Sequence, residues 1–150
     1  MSVFQPHVTV ATVVIDDQGR FLLVEEHDKT TGMPVFNQPA GHLEADESLP
    51  EAALRETREE SGWEVTLTAC LGVSLHTAPG NGVTYCRVSF LASPETELQG
   101  LELDPDILAR HWFTYDEIIE RSDRMRSPLV IATIERYLAG HRYPLDLIYP

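Results

Sequence analysis

The chain has 150 residues, 43% of them hydrophobic, and a formal charge of −13. That length supports one domain over residues 1–150 with a buried core of its own. The acidic excess argues against a nucleic-acid polymer or an anionic membrane surface as partner, because phosphates are repelled, but a small phosphate ligand escorted by a divalent cation is compatible with it.

Residues 7–16 are rich in β-branched side chains and read as a strand. Asp17-Gln18-Gly19 supplies a turn, and Phe21 to Glu26 reads as the hairpin partner. His27 to Met33 is a polar loop around Thr31-Gly32. His7 and His27 read as surface residues, since neither has a second histidine at ligand spacing. Phe36 to Gly41 leads into the acidic region. Pro39 holds Gln38 extended. Gly41 lets the backbone approach a ligand or ion closely.

A capped helix follows. Ser48 with Glu51 forms a capping box, Pro50 suits the first turn, and Gly62 is a helix stop. At about 100° per residue, Glu56, Glu59 and Glu60 share one wedge with Leu49, Ala52 and Ala53. Glu51, Arg55 and Arg58 fall on the other side. The three acids thus continue the inward, apolar stripe. Clustered carboxylates resist ionisation unless a cation joins them, and hard divalent ions want oxygen ligands.

Trp63, Val65, Leu67, Ala69, Leu71, Val73 and Leu75 alternate with polar or small residues, which predicts a long strand with one buried face, bent at Gly72. Ala78 to Gly82 is a turn, and Val83 to Ala92 returns as a strand. Arg87, inside that strand, is either a sheet-edge residue or an arginine that grips phosphate. Cys70 and Cys86 are the only cysteines, without metal spacing, and read as reduced thiols on neighbouring strands. Pro94 to Asp106 is acidic and irregular, and Ile107 to Phe113 is a short strand. Thr114 with Glu117 opens a helix to about Arg121. Ser127 and Pro128 open the last helix, which Gly140 stops. Arg124 and Arg126, just before that helix, either form an anion site with its N-terminus or balance an acidic surface. No apolar run approaches the 18 or so residues a membrane span needs, and no signal segment is visible. The expected location is the cytoplasm.

Gly41 to Trp63 places Gly, Glu47, Arg55-Glu56, Glu59-Glu60 and Gly62-Trp63 in one register. This resembles the Nudix box, Gly-x5-Glu-x7-Arg-Glu-U-x-Glu-Glu-x-Gly-U, where U is a bulky apolar residue. All seven fixed letters are present, and Thr57 stands at one U position. A chance match is on the order of 10⁻⁸ per start position from average residue usage. The resemblance implies a Nudix-type α/β/α sandwich with a mixed sheet, and hydrolysis of a phosphoanhydride. It implies Mg²⁺, with Mn²⁺ as a substitute, bound by Glu56, Glu59 and Glu60, with the Gly41 carbonyl lending a ligand. It further implies an extra ligand or base from beyond the box, for which Asp106 is the candidate and Glu102 and Asp104 compete. Arg55 and Glu47 become supports: Arg55 reaches Glu59, Glu51 or Glu47.

HVTVA, FNQPAGHLEADE, RSPLV and RYPL also resemble one bacterial phosphatase branch of that family. That resemblance implies action on nucleoside di- and triphosphates, and on thiamine pyrophosphate or its hydroxymethylpyrimidine pyrophosphate precursor. The rival readings are a Nudix hydrolase of ADP-ribose, dinucleoside polyphosphates or oxidised nucleotides, and a non-catalytic nucleotide-binding module. The partner expected is a small molecule, with the chain a monomer or homodimer. Candidate substrate contacts are Gln38, Arg87, Arg124 and Arg126.

Overall fold

The computed structural model describes residues 2–150. Strands β1 (His7–Val14), β2 (Phe21–His27), β3 (Pro34–Asn37) and β4 (Ala40–His42) precede helix α1 (Leu49–Ser61). Strands β5 (Trp63–Thr77), β6 (Thr84–Glu97) and β7 (Ile107–Phe113) follow, then helices α2 (Tyr115–Glu120) and α3 (Leu129–Leu138). The strands form two sheets. One has the order β4-β1-β6-β5 and is mixed: β1 is parallel to β6 and antiparallel to β4. The other, β3-β2-β7, is antiparallel.

Helices cover the sheets from two sides. Ala52 and Ala53 of α1 pack on Val10, Cys70, Val88 and Phe90. Ile118 of α2 and Val130 and Ile134 of α3 join Val13, Leu23, Leu71 and Leu91 in a separate core. This is the expected α/β sandwich with a mixed sheet.

The β1–β2 hairpin is not formed. The turn at Asp17–Gly19 exists, but only an Ile15–Phe21 bridge joins the strands. Val10 to Val14 and Phe21 to Val24 are continuously buried. Such runs need neighbours on both sides. Each therefore becomes the interior strand of its own sheet, and the gap between the sheets becomes available to a ligand.

Phe36 and Asn37 end β3, Ala40 and Gly41 open β4, and Gln38-Pro39 lie between them. Two further expectations change. The buried face of β5 does not extend to its end: Val73 and Leu75 are 65% and 71% exposed. The register shifts at Leu67/Ala69 and Cys70/Gly72 each turn the side chains over, so together they return Val73 and Leu75 to the face of Val65 and Leu67, and that face is left uncovered at the strand's end. The bend expected at Gly72 coincides with the second shift, where φ is 141°. Strand β6 also continues through Pro94 to Glu97, taking residues expected to be irregular. The helix boundaries match their caps. Ser48 Oγ accepts from Glu51 N while Glu51 Oε1 accepts from Ser48 N, and Gly62 is left-handed at φ 75°.

Candidate active site

Helix α1 directs its acids at strand β4. Ala40 N donates to Glu60 Oε1 at 2.9 Å. A Cβ placed on Gly41 would overlap the Glu56 carboxyl group, so only glycine lets that carboxylate lie against the strand. Glu60 is 8% exposed, whereas the Glu59 side chain is 49% exposed and stands at the rim. Thr57, at the divergent apolar position, is fully buried and donates its hydroxyl to Ala53 O at 2.7 Å. Its polar atom is thus satisfied within the helix.

Arg55 is not on the solvent side as the helical wheel implies. Its guanidinium folds into the acids. Nη2 donates to Glu47 Oε1 at 2.7 Å and Nε to Glu47 Oε2 at 2.9 Å. Nη1 reaches Glu56 at 2.8 Å and Glu59 at 3.2 Å, and Nη2 also donates to the His42 carbonyl. Glu51 is not a partner, being used by the cap. The hydrogen bonds from Arg55 hold the Glu47 carboxyl below the usual range. Burial, outweighing Arg55, holds Glu56 above it. Burial pushes Glu60 up to about 9, against the pull of the Ala40 N–H. Glu26, Glu56 and Asp104 add repulsion.

This carboxyl makes stability pH-dependent. Its ordinary value is 4.5 and its folded value about 9, so between them the folded chain holds a proton that the unfolded chain lacks. In chelator, thermal stability is expected to fall as pH rises from about 5 towards 9, with a slope of at most about 1.4 kcal/mol per pH unit for one proton. Melting curves across that range check it, with the slope flattened in Glu60→Gln.

A cavity of about 660 Å³ lies between the two sheets, lined by Glu56, Glu60, Gly41 and Arg87 and by some of the other candidates. Asp106 is on its lip, 65% exposed and 3.9 Å from Lys29 Nζ. Asp104 sits closer to the chemistry: its N–H donates to Glu59 O, and its charge raises Glu56 and Glu60. Gln38 is buried. Its Nε2 donates to Val130 O at 2.7 Å and its Oε1 accepts from Arg87 Nη2 at 2.6 Å.

Arg87 is no edge residue. It lies on β6, between β1 and β5, and is 7% exposed. Arg124 donates to Glu25 Oε2 at 2.9 Å and rests on the Phe36 ring, outside the cavity lining. Arg126 lines the cavity and donates to Glu26 Oε1 at 2.7 Å. Glu25 and Glu26 were not legible as partners, since their arginines stand about a hundred residues away in sequence. His42 and Tyr85 on the rim also went unread, and their ring contact with each other and with His7 has no local signature.

The NUDIX domain model matches residues 5–132. The chain belongs to the Nudix family. Phosphatase NudJ of Escherichia coli K12 is 42% identical over 145 residues, covering 97% of this chain and 92% of that protein. A solved Nudix hydrolase from Nitrosomonas europaea is 40% identical, with a TM-score of 0.93 over 97% of both chains. The E. coli ORF135 protein, 21% identical with a TM-score of 0.70 over 90% of each chain, shares the fold alone. As a Nudix hydrolase, this protein acts on phosphoric anhydrides. Among the described residues no helix is long and apolar enough to cross a membrane.

Nudix membership implies a divalent ion at these acids. Among the described residues no three acidic, histidine or cysteine side chains converge closely enough to hold an ion, because Arg55 engages Glu56 and Glu59 while Ala40 N engages Glu60. The set is nevertheless oxygen-only, as a hard ion requires. Four carboxylates, Glu44, Glu47, Glu56 and Glu59, pair with the single guanidinium of Arg55, which leaves negative charge uncompensated. The residues fit such an ion once Arg55 yields Glu56 and Glu59.

Proposed function

We propose that this Nudix protein is a Mg²⁺-dependent phosphatase and pyrophosphatase of mono-substituted diphosphates and triphosphates. Its substrates are nucleoside di- and triphosphates and thiamine pyrophosphate or its hydroxymethylpyrimidine pyrophosphate precursor. The observation that carries the reading is the desolvated pair Glu56 and Glu60, pressed on the glycine strand at the floor of one cavity. Likeness to phosphatase NudJ over nearly the whole chain supports phosphatase action.

Glu56, Glu59 and Glu60 would hold the ion, with the Gly41 main chain beside them and Asp104 or Asp106 as the further acid. When bound, Mg²⁺ polarises phosphoryl oxygen and makes a coordinated water more acidic. Glu60 then exists as a carboxylate. One of the three helical acids orients or deprotonates the attacking water, and they titrate as a set. Arg55 holds Glu47 and Glu56 in place and shares their charge. The cavity would position the anhydride in line with that water, which supplies much of the rate.

Product analysis with Mg²⁺ tests the reading. Thiamine pyrophosphate, GTP and GDP are expected to release orthophosphate, and ADP-ribose to remain intact. AMP from ADP-ribose, with little orthophosphate from the others, would replace this substrate class with a different Nudix one. No turnover of any of the four would favour a binding module.

A further inference from the structure

We propose that Arg87 is the specificity residue of this site and takes the free terminal phosphate of the substrate, so that the protein selects diphosphates and triphosphates bearing an uncapped end. The proposal rests on the hydrolase reading of the cavity and adds the feature by which it distinguishes one anhydride from another.

Three cationic side chains line the cavity: Lys29, Arg87 and Arg126. Lys29 faces Asp106, and Arg126 is paired with Glu26 at 2.7 Å. Arg87 alone has no carboxylate partner among the described residues. Its one side-chain bond is to the neutral amide of Gln38, and its Nε is buried without a partner. A guanidinium at 7% exposure in that state is costly to keep. An anion entering the cavity would complete it, with the paired donors that guanidinium offers to phosphate.

Its placement selects the end of the ligand. Strand pairing puts His42, Thr9 and Arg87 side by side across β4, β1 and β6. Arg87 therefore stands two strand spacings, roughly 10 Å, from the strand on which Glu56 and Glu60 rest. Glu56, Glu60 and Arg87 line the same cavity, so one ligand can meet the acids at one part of it and Arg87 at another. Behind Arg87 the wall is closed by Gln38, 1% exposed and bonded to the first turn of α3 through Val130 O. A terminal phosphate, with two charges and three free oxygens, suits a closed, cationic wall. A phosphate carrying a second substituent has nowhere to direct it.

The test is equilibrium binding in Mg²⁺ of α,β-methylene-ADP and of α,β-methylene-ADP-ribose, which differ only in the cap and resist cleavage at the bridging carbon. The wild-type protein is expected to prefer the uncapped ligand by on the order of 10²-fold, and Arg87→Met to bind the two alike. Arg87→Lys, which keeps the charge but not the planar fork, should retain an intermediate preference. If Arg87→Met does not fold, Arg87→Lys decides. Equal wild-type affinities would overturn the proposal, as would a folded variant that weakens both ligands together and keeps the wild-type ratio. Because the readout is binding, a failed product assay above leaves this result interpretable.

Discussion

Glu60→Gln is expected to lower Mg²⁺-dependent turnover by at least about a hundredfold while leaving a folded protein that is no less stable without metal. The size follows from what one preorganised charge contributes when it acts only as the reaction proceeds. The stability follows from the site. Glu60 is buried, its carboxyl is pushed up to about 9, and its one hydrogen bond is accepted from Ala40 N by Oε1, which glutamine also provides. Without metal the substitution therefore replaces a carboxyl that already holds its proton below about pH 9 with a neutral amide, and keeps the contact. Glu59→Gln should lose turnover too but leave stability unchanged, since Glu59 is half exposed at the rim. Steady-state kinetics beside melting curves in chelator check both. Wild-type turnover in Glu60→Gln would remove this residue from the mechanism, and a collapse of stability would mean that its role is structural.

Gly41→Ala should be nearly as damaging to turnover, by a different route. The added Cβ occupies the space of the Glu56 carboxyl group. Either Glu56 swings away or β4 shifts from α1. Overpacking of this kind costs about 1–3 kcal/mol. Displacing a catalytic group by about an ångström costs about a hundredfold in rate. The expected signature is a loss of kcat with a modest fall in melting temperature. Gly19→Ala is the control: no atom crowds that site, so it should show backbone strain alone, without a change in kcat. If Gly41→Ala has wild-type kinetics, the packing of Glu56 on β4 is not needed for activity.

Legibility in the sequence divides by range. Helix α1 could be bounded because its signals are local: the Ser48–Glu51 cap, Pro50 and Gly62 lie within or beside it. The helical period also indicated that Glu60 would turn inward with Ala52 and Ala53. The same period misplaced Arg55, because a long, flexible side chain is not bound to the face of its Cα and will fold back to satisfy nearby carboxylates. The β1–β2 hairpin failed for a related reason: a turn sequence shows that the chain reverses, not which strand it then joins.

By itself, then, the sequence determined the acid helix, its ends and the family. Each of these is encoded by residues a few positions apart. Tertiary structure alone decided that β1 and β2 enter different sheets with the cavity between them. It decided that Arg124 is held by Glu25 and Arg126 by Glu26, and that Arg87 is buried against Gln38 without an opposing charge. Those outcomes depend on contacts 49 to 100 residues apart. Local spacing cannot specify such pairings, because the whole chain's burial selects which distant partners meet.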